Sequence, residues 1–140
     1  MIGIIEEFGG EQRSFLLAIG ELRKVQDAAG ASPVVIAREL SRCVAVLRAH
    51  PKASLFEQLQ IGMGDWHPEF VRQPILQGLI AGGMAPNAAA KEVRQHIDER
   101  GFLGLVENAP LALTLIVAGV SQPEDAATPG ESLAETAPPI

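Results

Sequence analysis

The side chains with the plainest chemical capacity stand at Asp65, His67 and Glu69, three acid–base or metal-ligating groups within five residues. Carboxylates on either side of an imidazole are the material of a hydrolytic base or a divalent-cation site. A simpler assignment competes with that one. Asp65 or His67 stands where a helix-capping acceptor is wanted ahead of Pro68, and Glu69 then lies at the positive end of that helix. Neither His50 nor His96 has a second histidine four residues away. Capping is the stronger reading, so the chain is read as a non-enzyme with no catalytic residue, metal ligand or cofactor-binding residue. Gly62-Met63-Gly64 follows a helical segment and lacks the Lys-Ser/Thr pair of a phosphate loop, so it reads as a turn. Cys43 is the one cysteine. That excludes an intramolecular disulfide and a cysteine-built zinc site, and on an apolar helical face Cys43 is a small core residue.

What remains is apolar recognition. Between Trp66 and Met84 an indole and a phenylalanine precede an apolar run interrupted by Gly78, Gly82 and Gly83. Trp66 and Phe70 are four apart, hence on one helical face. Such residues are more often core than binding surface, although aromatics also head the list of interface anchors. The spacing Gly78-x-x-x-Gly82 is read as a close approach of two helices in a soluble core, since its apolar run is too short for a bilayer. Gly82 and Gly83 should end the helix, at least one of them with positive φ. Pro74 should kink the helix near Phe70 or split it, because a proline removes one backbone donor and clashes with the preceding turn. Such a kink would leave a groove for a partner helix, with Trp66, Phe70, Leu79 and Met84 as the expected partner-binding residues.

These residues must be positioned by one small domain, since 140 residues are too few for two ordinary ones. Apolar residues make up 47% of the chain, as in a globular protein. Four of the 17 acids, Glu124, Asp125, Glu131 and Glu135, lie in the last twenty residues, where none of the 11 basic residues is found. The rest is nearly balanced, which argues against a nucleic-acid partner and against attraction to an anionic membrane. Glu6 and Glu7 come too early for a signal-peptide apolar region, and the longest apolar run, Ala109–Val120, falls short of the ~20 residues of a membrane span. The expected location is the cytoplasm.

The fold class expected is α+β, mainly α: an N-terminal β-hairpin followed by about five helices in one compact domain over residues 1–120. Residues 2–8 and 12–18 are β-compatible runs flanking a loop of about three residues, Gly9-Gly10-Glu11. A helix carrying Ile19, Leu22 and Val25 stops at Gly30. A second is capped by Ser32, with Pro33 in its first turn, and ends at Pro51. A third starts at Ser54, with Glu57 completing a capping box. Helices follow from about Pro68 to Gly82-Gly83, from Pro86 to Arg100, and over 104–120. The last is apolar almost all round and must be buried in the core or against a partner. Residues 121–140 have almost nothing to bury and are expected to form a disordered acidic tail.

One resemblance carries the reading further. The run Gly10 to Gln26, GEQRSFLLAIGELRKVQ, looks like the start of the gene transfer agent family of phage tail proteins, in which a β-hairpin leads into an "IGEL…LQ" helix. Gln77 to Met84 is similar to that family's "GLIGGGM" signature, preceded there by a tryptophan as Trp66 precedes it here. Leu105-Val106-Glu107-Asn108-Ala109 resembles its "L.EN…A" block. The likeness spans roughly residues 8–120, with Ala81 replacing the middle glycine and Pro74 intruding in the helix before it. It implies a siphophage-type tail assembly chaperone in the bacterial host cytoplasm. Its partners would be the tape measure protein, kept soluble until the tube forms, and the tail tube protein. A structural tail component that stays in the particle is the alternative, and homo-oligomerisation is left open. The family brings no catalytic residues and no cofactor.

Overall fold

The computed structural model describes residues 3–61 and 66–121. The expected turn at Gly62-Met63-Gly64, Asp65 and the acidic tail beyond Ser121 lie outside the described residues. Strand β1 (Ile4–Phe8) pairs antiparallel with β2 (Glu11–Phe15), and Phe8 stands opposite Glu11. The turn is therefore Gly9-Gly10 alone, one residue shorter than the sequence reading. Both glycines have positive φ, +64° and +84°, the backbone that matches a two-residue turn to the right-handed twist of its strands. Alternation along the strands turns Phe8 and Phe15 inward, where both are buried.

Helix α1 (Ile19–Ala29) starts where the Glu21 carboxylate accepts from the Ala18 amide, 3.0 Å away, and ends at Gly30 with φ +74°. Helix α2 (Pro33–Ala49) is capped by Ser32, whose hydroxyl accepts from the Val35 amide at 3.3 Å. Helix α3 (Leu55–Ile61) opens on the expected capping box. There the Ser54 amide donates to Glu57 Oε1 at 2.8 Å, and the Glu57 amide donates to Ser54 Oγ at 3.2 Å. Helices α4 (Pro68–Ala81), α5 (Pro86–His96) and α6 (Phe102–Ser121) complete the described fold. The helix expected to reach Arg100 ends at His96. Ile97 leaves helical geometry (φ −120°, ψ −65°) and buries its side chain, and a 3₁₀ turn, Asp98–Arg100, leads into Gly101.

The hairpin-first, mainly helical architecture stands, with six α-helices among the described residues. Helices α4 and α6 form its centre. Helix α4 lies against α6, α1 and β2, and α2 covers another side of α6. Helix α4 runs unbroken across Pro74, which is itself buried. The expected split is thus not found: surrounding contacts hold the proline turn in line, as tertiary packing can do for a mid-helix proline. The hairpin is tied to α5 by Arg13 and Glu92, 3.0 Å apart, and by His96, whose ring meets Phe8 edge-on at 5.5 Å. A Cβ on Gly9 would come within 2.6 Å of that imidazole.

Candidate functional site

His67 and Glu69 have structural tasks. His67 is the N-cap of α4: its Nδ1 accepts from the Glu69 amide at 3.2 Å, and its ring stacks on Phe70 at 4.7 Å. The Glu69 carboxylate accepts from Arg72 Nη1 at 2.7 Å and from Gln73 Nε2 at 2.8 Å. Arg72 forks onto Asp98, with Nε–Oδ1 2.7 Å and Nη2–Oδ2 3.1 Å, tying α4 to the 3₁₀ turn. Burial disfavours the Arg72 charge, but hydrogen bonds to Asp98 and Glu69 outweigh it and hold the guanidinium above its ordinary pKa. Each described group of this trio is occupied by a cap or an ion pair, and the arrangement locks two elements together.

The four expected partner-binding residues separate. Phe70 is 5% exposed and Leu79 is 1% exposed, so both belong to the core. This corrects the groove reading. Helix α4 is not a surface helix opened by Pro74 but the central one, enclosed by α1, α6 and β2. Trp66 and Met84 are half-buried against the same core. Trp66 precedes the first residue of α4, so it does not share a helical face with Phe70; it meets Phe102 edge-on at 5.6 Å.

The glycine spacing in α4 serves the hairpin more than the expected helix pair, since a Cβ on Gly78 would meet Leu115 of α6 only at an ordinary contact of 3.7 Å. The face of Gly78 and Gly82 receives the end of β2. Leu16 donates its amide to the Gly78 carbonyl at 3.1 Å, and a Cβ on Gly78 would stand 3.1 Å from the Phe15 ring. A Cβ on Gly82 would overlap the Ser14 carbonyl, 2.7 Å from its carbon. Gly82 keeps an ordinary φ of −76°, and Gly83, at +118°, supplies the expected positive φ.

Sequence reasoning put the last helix in the core or against a partner without telling its sides apart, and the structure separates them on α6. One side of this helix, with Leu105, Ala109, Ala112, Leu115 and Ile116, is buried in the core. The other side carries Leu103, Val106, Pro110, Leu113, Val117 and Val120, spaced alternately three and four apart. Leu103 is 44% exposed, Val117 46% and Val120 42%, while the other three are half-buried. The run 102–120 is apolar almost throughout, so no single sequence periodicity reveals which side the fold covers. Among the described residues, α6 alone is long and apolar enough to cross a membrane by length and composition, a property shared by core helices. The expectation drawn from the shorter run Ala109–Val120 understated this helix, which begins at Phe102. Its one charged residue, Glu107, pairs with Arg100 at 2.6 Å. No family model matches the chain, and neither a curated protein nor a solved structure matches it.

Proposed function

We propose that the protein is a phage-like tail assembly chaperone of the gene transfer agent type, which binds the tape measure protein and keeps it soluble while the tail is built. The observation that carries this reading is the uncovered apolar side of α6, a surface suited to holding another apolar helix. The resemblance in the hairpin–helix start and in Gln77–Met84 supplies the kind of partner. A tape measure is a long helical chain that exposes apolar stripes before the tube closes around it. Its chaperone needs a reversible apolar surface and no reaction centre. His67 and Glu69 fit that economy, the first tied up as a helix cap and the second in an ion pair with Arg72. The proposed place of action is the cytoplasm of a bacterial host, with the tape measure as first partner and the tail tube protein as second.

Mass spectrometry of purified particles tests the reading. A chaperone is absent from particles that contain tape measure and tube protein, while its deletion leaves cells without tails. Recovery in fixed stoichiometry with the tube would make it a structural component instead.

A further inference from the structure

We infer that strand β1 is a dimerisation edge: the β1 strands of two copies of this chain pair antiparallel about Ile5 and join two hairpins into one sheet. The inference goes beyond the proposed function and does not depend on it. The register of the hairpin makes the case first. Its two-residue turn closes on Phe8 and Glu11, so the pairs Phe8–Glu11, Glu6–Arg13 and Ile4–Phe15 exchange the ladder hydrogen bonds. The residues between them aim their backbone groups away from the ladder. On β2 these are Gln12 and Ser14, and the body closes that edge. The Ser14 carbonyl abuts Gly82, and two residues on the Leu16 amide donates to the Gly78 carbonyl at 3.1 Å. On β1 they are Ile5 and Glu7, with Gly3 just ahead of the strand. Among the described residues, no other backbone group bonds to those of Gly3, Ile5 or Glu7. Helix α4 packs along β2, whereas β1 has β2 as its chief neighbour, so one edge of the hairpin is closed and the other is open.

The side chains make the case second. A free edge is ordinarily blunted by a proline, a lysine or a bulge. From Gly3 to Phe8 the chain reads GIIEEF, with no proline or lysine, and its pairing with β2 runs without a bulge. Ile5 is 62% exposed on the outer face of the hairpin, beside Ser14. A β-branched residue in mid-strand gains most from a cross-strand neighbour, and Ser14 covers little of it.

The charges choose the occupant. A two-fold axis at Ile5 sets Ile5 beside the partner's Ile5, Glu6 opposite the partner's Ile4, and Glu7 opposite the partner's Gly3. Every outward N–H and C=O from Gly3 to Glu7 then meets its complement. The two isoleucines cover each other on one face, and no carboxylate stands opposite another. A parallel pair in register would instead set Glu6 against Glu6 and Glu7 against Glu7, and like charges directly opposite are destabilising. The strand is thus complementary to a second copy of itself about Ile5. An edge this short gives a weak dimer that forms as the chains are concentrated.

Sedimentation equilibrium of the full chain, from about 10 µM to about 1 mM, tests the edge, and a monomer–dimer equilibrium with a Kd on the order of 100 µM is expected. Ile5→Pro removes an outward N–H without taking a bond from the β1–β2 ladder, and should weaken the dimer about tenfold or more. Should that variant melt earlier than the parent, Ile5→Lys gives the reading in its place. Alone it should sediment as a monomer, and mixed with Ile5→Glu it should regain a dimer through opposite charges at the two-fold axis. Leu103→Gln with Val117→Gln, on the exposed side of α6, should leave the association unchanged. A chain that stays monomeric throughout overturns the inference. So does a dimer indifferent to both Ile5→Pro and Ile5→Lys, a failure of the two charged variants to recombine, or a dimer that the α6 variant dissociates.

Discussion

Replacing Gly82 by alanine sets two effects of known sign against each other. Gly82 has φ −76° and ψ −3°, a backbone any residue adopts, so alanine should gain about 0.5–1 kcal/mol in helix propensity and unfolded-state entropy. Against this, the new methyl would overlap the Ser14 carbonyl, and that neighbour is backbone, with no rotamer to yield. The strand must withdraw from α4. Overpacking of this kind costs about 1–3 kcal/mol, and loss of the Leu16 amide–Gly78 carbonyl bond adds about 1 kcal/mol. The net is about 2 kcal/mol of destabilisation, or roughly 8 °C in Tm for a domain of this size. Thermal unfolding followed by circular dichroism measures it beside two controls. Gly83→Ala has open space but φ +118°, and should lose about 1 kcal/mol through backbone strain alone. Gly20→Ala in the first turn of α1 meets nothing within 4 Å and should be neutral or stabilising. A Gly82→Ala protein as stable as the parent would refute the seating of the hairpin on α4.

Three further outcomes follow from the same physics. Leu79→Ala should cost about 2–5 kcal/mol by urea denaturation and Leu79→Asp should unfold the domain, since Leu79 is core; a folded, soluble Leu79→Asp protein would restore the groove reading. Hydrogen bonds from the Ser54 amide and hydroxyl hold the Glu57 carboxyl below its usual range, so its support of the α3 cap is present at neutral pH and lost as pH falls through the folded-state value. Amide exchange at Glu57, corrected for intrinsic rates, should therefore quicken on acidification, and in Glu57→Gln it should not. Removing residues 122–140, a stretch without a recurring apolar face, should leave Tm within about 3 °C, and a larger fall would mean that this segment stabilises the body.

Local chemistry was legible in the sequence wherever its cause was local. Gly9-Gly10 announces a turn, though one read a residue too long, Ser54 and Glu57 announce a capping box, and Ser32-Pro33 announces a helix start, because each partner lies within a few residues. What depended on distant packing was misread. Pro74 has the local marks of a break, but its turn lies at the centre of the fold, where neighbours on several sides keep α4 continuous. Gly78 and Gly82 are spaced as for a helix pair, and only the placement of β2 shows that they make room for backbone at Ser14 and for the Phe15 ring. Phe70 and Leu79 read as surface residues only through the groove that a kink at Pro74 implies, and with α4 continuous they are core. The uncovered side of α6 stayed hidden for the opposite reason: with apolar residues on nearly every side, the pattern holds no mark of which side the fold covers.

Co-expression with a tape measure protein, the partner the proposed function assigns, tests the central claim most directly. The account predicts that the tape measure, insoluble alone, becomes soluble and co-purifies with the protein, and that Leu103→Gln with Val117→Gln reduces its recovery while Val34→Gln, at an exposed residue of α2, does not. A tape measure that partitions identically with and without this protein would contradict the account.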